Sequence, residues 1–91
     1  MPVTVRIPTQ LRNLAGGAAQ VSVEAATVGD ALKALDAAHP GFAERLYDGG
    51  GGLRRFVNVF VAEEDIRFLD GLASPVADGQ TISIVPAVAG G

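Results

Sequence analysis

Thr81-Ile82-Ser83-Ile84-Val85-Pro86-Ala87-Val88-Ala89-Gly90-Gly91 joins two kinds of sequence without a spacer. Its first five residues alternate apolar and polar, which predicts a strand with Ile82 and Ile84 turned inward. Pro86 breaks that strand, and the small residues after it cannot pack as an element. Two final glycines give an extended peptide without side chains, so residues 86–91 are expected to form a flexible tail. The turn dipeptide Asp78-Gly79 stands just ahead of the strand.

Upstream, Phe56-Val57-Asn58-Val59-Phe60-Val61 is the clearest strand in the chain. Val57, Val59 and Val61 share one face, and Phe56, Asn58 and Phe60 the other. An acidic turn, Glu63-Glu64-Asp65, precedes what reads as a brief strand, Ile66-Arg67-Phe68, with a second turn at Asp70-Gly71. Carboxylates spaced one apart on such a turn face water rather than one shared cation. Gly49-Gly50-Gly51-Gly52 lacks the Gly-Lys-Ser/Thr ending of a phosphate loop and reads as a flexible loop.

The N-terminal half supplies two more strands and a helix. Val3, Val5 and Ile7 alternate with Thr4, Arg6 and Pro8, and Gln20-Val21-Ser22-Val23-Glu24 alternates again. Between them lies a loop with Leu11, Leu14 and the turn signal Gly16-Gly17. Thr27 can cap a helix whose apolar stripe is Val28, Ala31, Leu32, Leu35 and Ala38, with Lys33 and Asp36 outside it. His39-Pro40-Gly41 ends that helix, and Phe42 to Leu46 can form one more turn with both ends inward. The order is strand, strand, helix, strand, short strand, strand. The expected fold class is α+β: one domain over residues 1–91, with a mixed sheet covered on one face by one main helix, the ubiquitin-like β-grasp arrangement. A right-handed crossover is expected through the helix to Phe56–Val61 if the strands it joins are parallel.

Composition excludes several function classes. A formal charge of −3 with only Arg54-Arg55 as a basic pair argues against nucleic acid as a partner. No apolar run approaches a membrane span, and the N-terminus lacks a signal-peptide pattern, so a cytoplasmic location is expected. The chain has no cysteine, which removes thiolate metal sites and thiol nucleophiles. Its single histidine, His39, reads as a helix end, and no acid–base couple is discernible, so the chain is not expected to be an enzyme. No bound cofactor and no metal site are expected.

The tail is where chemistry is possible. A carboxylate must be activated, as an acyl-adenylate formed from ATP by a partner, and its carbon must reach that partner's buried active site. A thread without side chains fits a narrow channel: Gly90 gives slimness, Gly91 the reacting carboxylate, and Ala87-Val88-Ala89 can bind along a groove through backbone hydrogen bonds. Strand parity places Pro8, Phe60 and Val85 on the open sheet face, where they would form a docking patch with Pro86 and a polar rim from Arg12 and Arg6. Alternatively, the loop from Ile66 to Ala77 covers Phe60.

From Val57 onward, and above all from Ala77 to Gly91, the chain resembles the MoaD/ThiS-type ubiquitin-like sulfur-carrier family, and Leu11-Arg12-Asn13-Leu14-Ala15-Gly16 fits it too. Glu64-Asp65-Ile66-Arg67-Phe68 and Ile84 to Gly91 resemble its actinobacterial branch that feeds cysteine synthesis. That resemblance implies a cycle. A ubiquitin-activating-like adenylyltransferase and sulfurtransferase converts Gly91 to a thiocarboxylate. A pyridoxal-phosphate cysteine synthase uses the sulfur on O-phosphoserine, and a metallopeptidase releases cysteine from Gly91. Supply of molybdopterin or thiamine synthesis is the alternative within the family. Outside it stand a covalent protein modifier, for which Lys33 as sole lysine nearly excludes lysine-linked polymers, and a plain interaction domain.

Overall fold

The computed structural model describes residues 2–48, 52–54 and 57–86. Strands β1 (Pro2–Arg6), β2 (Gln20–Glu24), β3 (Val57–Val61), β4 (Glu64–Asp65) and β5 (Thr81–Pro86) form one mixed sheet in the order β2-β1-β5-β3-β4. At its centre β1 runs parallel to β5, with Thr4 opposite Thr81, Val5 opposite Ile82 and Arg6 opposite Ser83. The other pairings are antiparallel. This is the ubiquitin-like β-grasp fold. β2 and β3 point the same way but have β1 and β5 between them, so the helical crossover spans the sheet centre rather than joining neighbours.

Helix α1 (Val28–Ala38) covers one face. Its Val28, Ala31, Leu32 and Leu35 share a core with Val3, Val5, Ile7, Val59, Ile82 and Ile84, the inward residues of the alternating strands. Burying each large aliphatic side chain contributes roughly 1.5–3 kcal/mol. The Thr27 hydroxyl accepts the Asp30 N–H at 3.1 Å, and the His39 N–H closes the other end on Leu35 O at 2.8 Å. Ala38, expected in the buried stripe, is instead exposed. Ala34 packs on the core instead.

Helix α2 (Phe42–Leu46) buries Phe42 and Leu46 completely, as expected. Asp36 sets its approach: Oδ1 accepts the N–H groups of Ala43 at 2.9 Å and Gly41 at 3.2 Å. Sequence spacing had placed Asp36 merely outside the stripe. Gly41 holds φ +115°, a left-handed conformation that favours glycine, and a Cβ there would stand 3.1 Å from Leu14 Cδ2, so that side chain would have to give way.

Three further segments depart from the sequence reading. Thr9–Ala15 is a 3-10 helix that buries Leu11 and Ala15, not an open loop. Ile66–Phe68 is a 3-10 turn, not a strand; the strand is Glu64–Asp65, reached through a two-residue turn in which Ala62 and Glu63 hold φ of 50° and 74°. The Asp65 carboxylate caps this 3-10 turn by accepting the Arg67 N–H at 2.9 Å. The Arg67 guanidinium then donates to Val57 O at 2.9 Å and to the Asn58 side chain, satisfying the β3 edge that β4 is too short to pair. Gly71–Ala73 forms another 3-10 turn against α1, where Leu72 O lies 3.1 Å from the position of a Gly29 Cβ. Arg55, Phe56 and most of the expected glycine loop, Gly49 to Gly51, lie outside the described residues. No helix among the described residues is long and apolar enough to cross a membrane.

Two consequences can be measured. Asp36→Ala removes both bonds that hold α2, and urea unfolding is expected to show a loss of about 1–2 kcal/mol. Tyr47, the sole tyrosine, has its pKa raised first by burial and then by the negative charge of Asp36. Its tyrosinate absorbance should therefore appear above the ordinary value of about 10. In Asp36→Asn the transition should move down while staying above that of a free tyrosine. The stability that comes from keeping Tyr47 protonated is complete below its unfolded pKa, and is lost as pH climbs through the higher folded one.

Candidate functional site

The end of the sheet where β5 finishes is built by the two central strands and the 3-10 helix after β1. Period-two alternation turns Ile82 and Ile84 into the core, so Ser83 and Val85 face the other way. Val85 is 45% exposed and stands opposite Asn58; Pro86 stands opposite Val57 as the last residue of β5. The strand thus runs one residue further than its proline suggested. Ala87, Val88, Ala89, Gly90 and Gly91, the expected reactive end, lie outside the described residues, as does the expected flexibility of the tail they form.

Beside Pro86, β1 gives way at Pro8, in extended conformation with φ −67° and ψ 155°, to the Thr9–Ala15 turn. Burial of Leu11 and Ala15 on the core side leaves Arg12 half-buried at the surface, and its Nε–H donates to Ile7 O at 3.1 Å. Arg6, one residue before Ile7, is exposed and sits opposite Ser83. Arg6, Pro8, Arg12, Ser83, Val85 and Pro86 line one open cleft of about 430 Å³.

Four of the residues singled out from sequence, Pro8, Arg12, Val85 and Pro86, are therefore brought together, with Arg6 beside them. Phe60 does not line the cleft. It is half-buried and lies across β5 from Arg6, in the row Arg6, Ser83, Phe60 on the sheet face away from α1. Most of the segment proposed to cover it is tied to the other layer: Ile66 and Val76 are buried in the core, Val76 N–H donates to Ala26 O, and Ser74 O accepts from Val28 N–H, both at 3.0 Å. Its Arg67, however, reaches the Asn58 side chain on the face of Phe60. Ser83, Thr9 and Gln10 line the cleft as well, and the sequence reading singled out none of them. For Ser83 the signal was available, because the same alternation that buries Ile82 and Ile84 turns it to the opposite face.

Chemically the cleft offers guanidinium donors, a hydroxyl and apolar surface, which suits recognition rather than bond-making. Among the described residues, no three His, Asp or Glu side chains gather as metal ligands. A second cleft, of about 680 Å³, opens on the helix side between Thr27, Lys33, Tyr47 and Leu72.

Comparison with known proteins places the chain as a whole. The sulfur carrier protein CysO of Mycobacterium tuberculosis is 50% identical over 93 aligned residues that span all of both chains. The crystal structure of the Amycolatopsis orientalis BexX/CysO complex contains a chain that superposes with a TM-score of 0.91 at 46% identity, covering 98% of this chain and 99% of that one. Small archaeal modifier protein 3 of Haloferax volcanii is 42% identical over 66 residues, 72% of this chain and 71% of its own. Residues 5–91 match the model of the ThiS family, and with that extent of agreement in sequence and in structure the chain belongs to the ThiS family.

Proposed function

We propose that this chain is a sulfur carrier for cysteine synthesis, acting as the substrate of partner enzymes in the cytoplasm, with the carboxylate of Gly91 as its working group. The observation that carries the reading is 50% identity over its whole length to sulfur carrier protein CysO. It is supported by a family match that runs through residue 91, so that both glycines are aligned.

The chemistry follows from a carboxylate at the end of a thin chain. An oxygen of Gly91 attacks the α-phosphorus of ATP on an adenylating partner, and pyrophosphate leaves. A sulfide equivalent then attacks the acyl carbon, AMP leaves, and a thiocarboxylate remains. Its sulfur is anionic near neutral pH and more nucleophilic than the oxygen it replaced. On a pyridoxal-phosphate cysteine synthase it displaces the phosphate of O-phosphoserine, forming a carbon–sulfur bond. Hydrolysis by a metallopeptidase frees cysteine and restores the carboxylate. Without a cysteine of its own, the chain can hold such sulfur covalently only at its end. Pro8, Arg12, Phe60, Val85 and Pro86 serve in this account as the surface that seats the root of the tail on each partner, while Ala87 to Gly90 thread the channel.

A second reading, a covalent modifier joined through Gly91 to lysines of other proteins, draws on the likeness to small archaeal modifier protein 3. Intact mass of the protein purified from its native cells under gentle, non-reducing conditions separates the two. The carrier reading predicts a species with one terminal oxygen replaced by sulfur, or with cysteine added at Gly91. Isopeptide conjugates with neither species would transfer the case to the modifier.

A further inference from the structure

Arg6 and Arg12 are the charged residues of the cleft at the tail root, and both are cations on a chain whose net charge is −3. Neither is neutralised. Among the described residues the Arg6 side chain makes no hydrogen bond or ion pair, and that of Arg12 makes one bond, from Nε–H to Ile7 O. That single bond matters: it fixes the guanidinium plane and leaves the terminal amino groups pointing free for another acceptor. Other arginines of this fold do structural work. Arg67 donates to Val57 O and the Asn58 side chain, and Arg54 donates to Glu44 O at 2.9 Å. At the tail root the two arginines instead line an open concavity with exposed Val85 and the hydroxyl of Ser83.

We infer that this cleft is a clamp for carboxylates on the partner that adenylates the tail. The inference rests on the carrier reading and adds the chemistry of its docking surface: an acidic segment of the partner, Asp or Glu, seated between Arg6 and Arg12 while an apolar residue packs on Val85. Arginine suits the role because its planar fork meets a carboxylate in two hydrogen bonds. Opposite charge at the rim of an interface acts chiefly on encounter rate and orientation, and salt screens it. The arrangement also answers a difficulty of the chain itself. An acidic protein approaching an acidic partner surface is repelled, and a local basic patch at the tail root turns the productive end inward first.

The test uses the full-length chain and the adenylating enzyme fractionated from the same cells, with adenylation of Gly91 followed by pyrophosphate release at low and raised salt. Arg6→Glu is expected to lower kcat/KM about tenfold at low salt, mainly through KM, with kcat nearly unchanged and the difference shrinking as salt rises. Arg12→Glu should do the same, and because Arg12 also bonds Ile7 O, its fold is checked by thermal melting. Arg45→Glu, exposed on α2, makes the same charge change away from the cleft and should match the wild type. Equal kcat/KM for wild type and Arg6→Glu overturns the clamp while leaving the carrier reading intact, as does an equal loss in Arg45→Glu. A wild-type chain that no fraction adenylates removes the carrier reading and the clamp together.

Discussion

The parallel pairing of β1 with β5 at the centre of the sheet is the constraint on which the rest depends. It lays the first strand beside the last, with Val5 against Ile82 under α1 and Arg6 against Ser83 on the opposite face. Parallel neighbours cannot be joined by a tight turn, so everything between them must cross over and come back. The helix, the second helical turn and the hairpin β3–β4 are that crossover, and their apolar faces close the core over the central strands. Because β1 and β5 point the same way, the chain leaving β1 and the chain leaving β5 emerge at the same end. The turn carrying Arg12 and the root of the tail are neighbours for this reason alone.

Much of this was legible in the sequence. The alternation in Val3 to Ile7, Val57 to Val61 and Thr81 to Val85 gave strand, face and core residues together, since a residue inward on one strand demands the same of every second one. The Thr27 cap and the stop at Pro40-Gly41 bounded α1 within a residue of where it lies. What alternation cannot resolve is a segment of three residues. Ile66-Arg67-Phe68 has the polarity pattern of a strand, but the capping carboxylate of Asp65 and the reach of Arg67 to the β3 edge make it a turn. The turn before it, expected over Glu63-Glu64-Asp65, lies instead at Ala62-Glu63, which take positive φ where the usual glycine or asparagine signal is missing. Asp36 was undervalued because its role is set by where α2 packs, a tertiary fact.

The candidate site was legible in part. Val85, Pro86 and Pro8 followed from strand parity, and Arg12 from the motif after the first strand. Their meeting was expected as a patch with a polar rim; that Ser83 joins them in one cleft depends on β5 inserting next to β1 rather than at an edge. Phe60 shares the face but stands outside the cleft, since β3 lies on the far side of β5. In the proposed function the pair of central strands would position a partner, and residues beyond Pro86, small and unbranched apart from Val88, would pass into its active site.

The claim at the centre of this account is that the end of the sheet beside Arg6, Arg12 and Val85 is the working end of the molecule. Backbone amide spectra of the isotope-labelled full-length chain, recorded with increasing amounts of the adenylating enzyme from the same cells, test it most directly. The account predicts that shifts and broadening gather at Arg6 to Arg12 and Ser83 to Gly91, while Lys33, Tyr47 and Leu72 on the helix side stay unchanged. Perturbation centred on that helix-side cleft, with the amides around the tail root unmoved, would contradict it.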